Sequence, residues 1–458
     1  MFDDVEDPGL SFASFAASID ESAIPERVRT RASYLILDGI GIALASGRFE
    51  FARRSLAAMA PVGSSGETPI IGMAETLSPR DAAVMNGILC HGLDYDDTHL
   101  EGAVHPTAVV LPAVLSAAAS GVSGGAAALD AFVVGVDVAA RVGAVAHRLF
   151  HRAGYYPTGV AGAFGAAIAA GMLMGLSESE IATAQGIVLS MASGTLEFLE
   201  DGAWNKSLCA GWAAGSGLTA AALAKQGFVG NRRPYTGRHG LYRTMLGSGA
   251  EDCDINKATD GLGTRWAVED VALKPFPTCI YTHSCIEAAI LLHSRIVPDD
   301  IVSIHVCVPK AVVQYICEPL ESKKAPRTAN DAQFSLPFVV AGALLRGRMT
   351  VAELDSDALE DPDILALSRL VFYSVEEDES SRGASPGKVC VSMVDGSVFA
   401  ERVKVNRGHP DRPILNAELK QKFRENAALV KSPEEIKNIE EIIIFSNDIN
   451  IVELNKYL

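Results

Sequence analysis

Apolar residues recur at helical spacing through most of the first 265 residues of this chain. Between residues 25 and 46, for instance, Val28, Leu35 and Ile42 stand seven positions apart, which places them on one face of a helix. Asp38 lies on that apolar face, so we expect it to cap a backbone group or to pair with a cation. The same reasoning predicts helices over 10–19, 78–89, 107–120, 124–150, 158–174, 178–193 and 207–226, and a short strand and turn over 67–79.

The pattern changes near residue 265, beyond which β-branched residues alternate with polar ones. This alternation predicts strands, and the dipeptide Asp395-Gly396 predicts the turn of a hairpin. The predicted strands cover 301–316, 371–378 and 388–405, and helical patterns return over 331–347, 416–429 and 433–443. We therefore predict a mostly α protein with a second α+β domain.

The two predicted domains are discontinuous in sequence. Residues 1–265 plus 405–458 form a large all-helical domain, because the helical tail is expected to return to the first domain. Residues 266–404 form the smaller α+β domain.

Composition and charge exclude several classes of protein. Hydrophobic residues make up 48% of the chain and charged residues 21%, which is typical of a globular protein. The formal net charge of -17 repels nucleic acid and anionic membrane surfaces, so neither is an expected partner. It would also repel an anionic substrate at long range, so such a ligand would need a local cationic cluster.

Cysteine usage and the N-terminus bear on the compartment. The eight Cys residues include no CxxC pair, which is neither a disulfide framework nor a zinc-knuckle pattern. The acidic start, MFDDVEDPGL, is no targeting signal, and no uninterrupted apolar run reaches the roughly 18 residues of a membrane span. The expected location is cytoplasmic.

One polar stretch stands out between two apolar helices, over residues 86–115. Burying that many ionisable groups is costly unless they are paired or used in chemistry, so this loop is the predicted functional site. Its ionisable groups are His91, Asp94, Asp96, Asp97, His99, Glu101 and His105, and Thr98 lies among them.

Cationic residues elsewhere in the chain complete the predicted site. Lys206 stands at the start of an Ala/Gly-rich helix, whose N-terminus presents backbone donors to an anion, and Lys274 directly precedes two prolines, Pro275 and Pro277, at the domain boundary. Together these cations would form a pocket for a polycarboxylate at the domain interface. Further positive charge was expected from His283, Arg232, Arg233, Arg238 and His239.

Two kinds of chemistry fit these residues. A His or Tyr in such a pocket could abstract a proton α to a carboxylate while Lys or His⁺ stabilises the enolate-like charge, which needs no metal. The rival hypothesis is a Mg²⁺–diphosphate site formed by Asp96, Asp97 and Glu101, with the last two at i and i+4 on a helix.

The loop sequence HGLDYDDTHLEGAVHPTAVVLPAVL closely resembles the signature of the MmgE/PrpD superfamily. The resemblance extends along nearly the whole chain, through YYPTGVAGAFGAAIAAG, NKSLCAGWAA, LKPFPTCIYTHSCIEAA and AQFSLPFVVA. The superfamily includes 2-methylcitrate dehydratases, cis-aconitate decarboxylases and iminodisuccinate epimerases. The resemblance implies a homodimeric enzyme that uses no cofactor and no metal, with a helical domain, an α+β lid and a small di- or tricarboxylate substrate.

The resemblance also implies roles for individual residues. Thr98, Lys206 and Lys274 would hold carboxylates, and His105 would be an acid or base. Asp94 belongs to the same substrate-binding set, to which we add His283. Both lysines are candidate catalytic residues as well, because they would stabilise the enolate.

This chain departs from the family pattern at three positions. Tyr156, Cys209 and Phe338 stand where a histidine, a histidine and a tyrosine are expected. Tyr156 could act as an acid or base opposite His105 or a lysine. Two groups on opposite faces of one carbon are what an epimerase requires. The predicted activity is therefore a lyase (dehydratase or decarboxylase) or an epimerase, and the alternative is a non-catalytic carboxylate-binding protein.

Overall fold

A computed structural model describes residues 6–20, 22–119, 127–376, 385–445 and 449–458. In it 59% of the residues are helical and the sheets are small, which confirms the prediction of a mostly α fold with an α+β part. The predicted segments at 120, 124–126 and 377–378 lie outside the described residues.

The first part of the chain is almost entirely helical. Its helices are α1 (Pro8–Ser18), α2 (Glu26–Ser46), α3 (Glu50–Val62), α4 (Pro79–His91), α5 (Thr107–Ala119), α6 (Ala128–Ala146), α7 (Leu149–Arg152), α8 (Pro157–Leu173), α9 (Glu178–Val188), α10 (Phe198–Asp201), α11 (Asn205–Lys225), α12 (Leu241–Leu246) and α13 (Ala267–Asp270). Two pairs of two-residue strands interrupt them: β1 (Thr68–Pro69) with β2 (Thr76–Leu77), and β3 (Thr98–His99) with β4 (Val271–Ala272).

The second part combines helices with a four-stranded sheet of order β6-β5-β7-β8. The strands are β5 (Ile301–Pro309), β6 (Val371–Glu376), β7 (Gly387–Met393) and β8 (Val398–Val403). The helices are α14 (His283–His293), α15 (Val313–Ile316), α16 (Leu320–Lys324), α17 (Ala329–Gln333), α18 (Leu336–Arg346), α19 (Ser356–Leu359) and α20 (Pro362–Arg369), and the tail adds α21 (Asn416–Ala427), α22 (Pro433–Ile444) and α23 (Ile451–Leu454).

The apolar side chains form two separate cores. One contains residues of α1 to α13 together with Leu419, Phe423 and Ile439 of the tail helices, so the tail packs back on the first part of the chain. The other lies between the four-stranded sheet and helices α14 and α18. We call the first body the helical region and the second the α+β region.

Some predicted elements differ from the observed ones. The strand predicted over 301–316 ends at Pro309, because a 3-10 turn and the short helix α15 follow it. Helix α3 was not predicted, since it buries only Phe51 and Ala52 and so has little apolar face. The Asp395-Gly396 turn is present, with Gly396 at a φ of 86° and Met393 N donating to Ser397 O.

Helix α11 is both long and apolar. Within the described ranges it is the one helix that meets the length and hydropathy expected of a membrane span. In the structure 67% of its apolar window is buried inside the protein, as in the core helix of a folded domain.

Candidate active site

The predicted polar loop follows α4 and precedes α5, and its side chains are buried. Asp94, Asp96, Asp97 and Thr98 are each at most 7% exposed. Helix α4 begins with Ser78, whose side chain accepts from Asp81 N, and it ends at His91. The backbone of Asp94 adopts a left-handed φ of 47°, which is uncommon outside Gly, Asn and Asp. The loop is therefore a rigid, enclosed part of the fold.

Asp94 brings the two predicted lysines together. Its Oδ1 is 2.7 Å from Lys206 Nζ and also accepts from Lys274 Nζ, which donates to the Asp94 carbonyl as well, at 2.9 Å. Lys206 lies in the first turn of α11. Lys274 follows β4, whose pairing with β3 joins Ala272 to Thr98. Two cations thus share one carboxylate.

The opposite charges of this cluster shift the pKa values of Asp94 and Lys274 so that both groups favour their charged forms. Burial raises the pKa of the Asp94 carboxyl, but Lys206 and Lys274 more than offset it and hold that pKa below its ordinary value. Burial lowers the pKa of Lys274, yet the Asp94 carboxylate raises it overall. Asp94 and Lys274 are therefore charged at neutral pH.

A second chain of hydrogen bonds links Tyr156, His91 and Asp96. His91 Nδ1 is 2.8 Å from Asp96 Oδ2, and His91 Nε2 is 2.5 Å from the Tyr156 hydroxyl. Burial raises the pKa of Asp96, but His91 and His105 hold it well below its ordinary value, so the carboxylate accepts the Nδ1–H. The Nε2 lone pair of His91 then accepts the hydroxyl proton of Tyr156, whose pKa burial raises well above its ordinary value.

The start of α8 positions Tyr156. It is the N-cap residue, with Pro157 in the first turn, and its backbone N donates to Gly194 O at 3.0 Å. Thr158 of the same turn accepts from His105 N at 3.1 Å. The start of α8 thus positions both Tyr156 and His105.

His105 lies beside this chain with one ring nitrogen free. Its Nδ1 is 2.8 Å from the carbonyl oxygen of Asp97, which can only accept, so Nδ1 carries the proton and Nε2 has the lone pair. The same Nδ1 is 3.3 Å from Thr98 Oγ1 and 3.4 Å from Asp96 Oδ2. Burial lowers the pKa of His105 to about 4, so the ring is neutral at pH 7 and able to act as a base.

The structure contradicts the Mg²⁺–diphosphate hypothesis. Asp97 caps α5, accepting from Thr107 N at 3.2 Å and Thr107 Oγ1 at 2.8 Å. Glu101 is exposed and pairs with Lys257 at 2.5 Å, and no helix joins it to Asp97. The three acids diverge, so they do not form one cation site.

A different set of residues has metal-ligand spacing. The ligand atoms of His91, Asp96 and His105 lie within 4.8 Å of one another. Asp96 Oδ1 has no hydrogen-bond partner among the described residues. A divalent cation there would have to replace the bond between His91 and Asp96, so metal independence stays a prediction to be tested with a chelator.

A cavity of about 640 Å³ opens between the helical region and the α+β region. His91, Asp94 and Lys206 reach its wall. Asp96, His105 and Lys274 lie behind the wall in contact with them, so each polar cluster borders the cavity through one or two of its members. Three arginines also line it: Arg48 and Arg53 from the helical region, and Arg327 from the α+β region. A cavity of this size between two bodies is typical of a small-molecule site.

The remaining predicted cations lie elsewhere or are neutral. His283 is buried at the start of α14, where burial and Lys274 lower its pKa to about 3, so it supplies no positive charge. The segment containing Arg232, Arg233, Arg238 and His239 does not line the cavity. Its Tyr235 and Thr236 bond instead to Asp7 beside α1. The expected contribution of the segment 232–239 to the pocket is wrong, because spacing in sequence does not show which face a loop covers, whereas substrate binding by His283 stays a prediction.

The three departures from the family pattern have different surroundings. Tyr156 is in the site. Cys209 lies beside it, since a side chain at Gly194 would meet Cys209 Sγ at 3.1 Å and Tyr156 Cβ at 3.5 Å. Phe338 is instead 1% exposed in the core of the α+β region, so that change is one of packing.

Tyr156 and His105 do not face each other across the cavity. Their ring centroids are 6.4 Å apart, and His91 contacts both, at 5.9 Å and 4.8 Å between centroids. The Tyr156 hydroxyl is bonded to His91 Nε2, and both rings lie on the same side of His91. The hypothesis that Tyr156 and His105 act on opposite faces of one carbon stays a prediction, as does the pairing of Tyr156 with a lysine.

Several site residues were not assigned from the sequence. The sequence-based prediction gives no catalytic role to His91 or Asp96. Their i, i+5 spacing beside a helix end is nevertheless a usable signal that the two side chains meet. Arg48, Arg53 and Arg327 were missed entirely, because nothing local distinguishes them from surface arginines.

Comparisons with known proteins cover nearly the whole chain. The family model of the MmgE/PrpD N-terminal domain matches residues 10–253, and that of the C-terminal domain matches residues 276–447. A cis-aconitate decarboxylase of Aspergillus terreus is 28% identical, covering 94% of this chain and 91% of its own. The human cis-aconitate decarboxylase is 28% identical (94% and 90%), and the 2-methylcitrate dehydratase of Salmonella typhimurium is 24% identical (93% and 92%).

Proposed function

Because the chain belongs to the MmgE/PrpD family, we propose that it is a lyase that moves a proton α to a carboxylate of a small di- or tricarboxylate. The observation that carries the proposal is the joint position of two clusters on one cavity: Asp94 with two lysines, and His91 with Asp96. The first cluster binds an anion and the second supports acid–base chemistry.

The lysines supply the charge that holds the substrate. Lys206 and Lys274 share the single carboxylate of Asp94, so the cluster keeps one net positive charge. A substrate carboxylate bound there places its α-carbon beside fixed positive charge. That charge stabilises the enolate-like electron density formed when the α-proton leaves.

His105 is the proposed base. Its Nε2 takes the α-proton, and the resulting imidazolium is stabilised by Asp96, whose Oδ2 lies 3.4 Å from Nδ1. When the C–H electron pair forms the double bond, the β-hydroxyl leaves and takes the same proton back from His105 as water. A ring that is neutral at pH 7 suits this elimination better than decarboxylation, which needs an acid to protonate carbon.

Tyr156, His91 and Asp96 have a supporting role in this elimination. Their hydrogen bonds fix Asp96 beside His105. The same chain supports a second candidate function, epimerisation, because the Tyr156 hydroxyl can accept a substrate proton while His91 Nε2 takes the phenol proton. A lysine would then have to act on the opposite face.

Proton NMR in D₂O tests the proposal. The protein is incubated with a panel of di- and tricarboxylates, hydroxylated ones included, in the presence of EDTA. A new vinyl proton signal is the expected result. Deuterium entering an α-position without loss of substrate would instead mean epimerisation.

Two other outcomes would contradict the proposal. Activity that returns only with an added divalent cation would show that the His91, Asp96 and His105 set holds a metal. Saturable binding of the same acids without any exchange or turnover would mean a non-catalytic carboxylate-binding protein. We also propose a homodimer, on the family resemblance alone, and a cytoplasmic location, because the eight scattered cysteines suit a reducing compartment.

A further inference from the structure

Three arginines border the cavity on two opposing bodies. Arg48 follows α2 and Arg53 lies on α3, and Arg53 Nη1 donates to Arg48 O at 3.3 Å, which ties the two together. Arg327 precedes α17 in the α+β region, where its backbone N donates to Asp331 Oδ2. The cavity that these arginines line also reaches Lys206 and Asp94.

The guanidinium groups of these arginines form no ion pair with any acid in the described parts of the chain. Their neighbour Arg54 differs, because it pairs with Glu50 at 2.5 Å. All three are exposed to solvent and line the same cavity, so their positive charge is available to an anion there although the chain as a whole has a net charge of -17.

The acids on the same wall offset only part of this charge. Glu50 is already paired, and Asp94 is shared by two lysines. Asp355 and Asp357 also line the cavity, and Asp355 caps α19 through Ala358 N. Three free arginines against these two acids leave an excess of positive charge.

We propose that Arg48, Arg53 and Arg327 form a second carboxylate subsite, which binds the substrate arm farthest from the lysines. The inference rests on the proposed function and names the substrate class more closely: acids with carboxylates at both ends, and tricarboxylates above dicarboxylates. Guanidinium groups suit this role, because each offers paired N–H donors to a carboxylate. A ligand held at both subsites would also join the helical region to the α+β region.

Calorimetric binding of two unreactive acids tests the subsite. Tricarballylate carries three carboxylates and succinate two, and both are titrated at pH 7.5 and constant ionic strength into the wild type, Arg48→Gln and Arg327→Gln. Each variant should raise the dissociation constant of tricarballylate roughly 5- to 50-fold, somewhat less than a buried charge-assisted hydrogen bond gives, because these arginines are exposed. The ratio of the dissociation constant of succinate to that of tricarballylate should fall in each variant.

The matched control is Arg369→Gln, which removes an exposed arginine at the end of α20 that does not line the cavity. It should leave both dissociation constants within twofold. Thermal unfolding of all variants checks that they fold.

Each remaining outcome separates the two proposals. If the wild type binds neither acid, the proposed function fails. If the wild type binds tricarballylate and the Arg48 and Arg327 variants bind it equally well, only the subsite is wrong. If Asp355→Asn or Asp357→Asn weakens tricarballylate binding as much as Arg48→Gln does, any change of the cavity wall has the same effect, which also overturns the subsite.

Discussion

Two buried groups of aspartate and lysine in this protein have opposite balances of charge. Asp38 of α2 pairs with one lysine, Lys422 of α21, at 2.8 Å. Lys422 also donates to the carbonyls of Tyr95 and Lys274, at 2.9 Å each. At Asp94, by contrast, two lysines share one carboxylate and the group borders a cavity.

The difference separates a structural pair from a binding group. The donors of Lys422 are fully used within the protein, so this lysine has nothing to offer a ligand. Burial lowers the pKa of Lys422, whereas Asp94 raises that of Lys274. Surplus charge beside an open space, more than burial itself, therefore marks the groups that bind. Disturbing the first group should affect folding, and disturbing the second should affect activity.

The largest expected effect on the functional side comes from His105→Ala. Turnover should fall by about 10²- to 10⁴-fold, as for other positioned acids and bases, while the melting temperature changes little. Steady-state kinetics and thermal unfolding measure the two. His239→Ala, at an exposed histidine outside the cavity, is the control, and full activity in His105→Ala would remove the base from the mechanism.

On the structural side, Lys422→Met should be the most damaging change. It leaves the Asp38 carboxylate and two carbonyls buried without their donor, which costs about 3–5 kcal/mol of unfolding free energy. Urea unfolding measures the loss. The double variant Asp38→Leu with Lys422→Met should recover part of it, and Lys437→Met, at an exposed lysine, should cost almost nothing. A stable but inactive Lys422→Met protein would contradict the distinction between a structural pair at Asp38 and a binding group at Asp94.

Lys206→Met should change substrate binding strongly and stability little, the opposite of Lys422→Met. Lys274 still neutralises Asp94 in this variant, so unfolding free energy should change by no more than about 1 kcal/mol. The KM for a polycarboxylate should rise roughly 10- to 100-fold because a charge-assisted bond to substrate is lost. If stability fell instead and KM stayed the same, the lysine would be structural, like Lys422.

A smaller effect is the pH dependence set by His105. Its pKa is lowered from 6.5 to about 4, so the folded enzyme keeps a neutral base down to that range. The acidic limb of kcat/KM should therefore lie near pH 4, not near 6.5. Stability should decline as pH falls below 6.5, because the unfolded chain takes up the proton that the buried ring excludes. An acidic limb of kcat/KM near pH 6.5 would show instead that the imidazole of His105 is exposed to solvent in the active protein.

The sequence predicted much of the helical region because its apolar spacing is regular. It also predicted that Asp94, Thr98, His105, Lys206 and Lys274 belong together, and the structure brings them to one place. Local pattern sufficed for the strongly apolar helices but not for α3, and the roles of these five residues stay predictions.

What the sequence could not supply was direction in space. Whether Tyr156 faces His105 or bonds to His91 depends on how α8 and α4 both pack against α11, and no local pattern encodes that packing. The arginines of the cavity come from two bodies, and only their docking brings them together. The loop around Arg238 was misassigned for the same reason.

The bonds of Lys422 also have a consequence for the order in which the protein is made. Lys422 is synthesised 148 residues after Lys274, whose carbonyl it holds, and 384 residues after Asp38. At the usual rates of translation the first interval takes about 7–30 s. During that time the nascent chain already contains Asp94 and Lys274, but the lysine that holds the carbonyls of Lys274 and of Tyr95, next to Asp94, is still missing. A ribosome-bound chain that ends before α21 should therefore contain the proposed site residues without the bonds that fix the backbone at Tyr95 and Lys274.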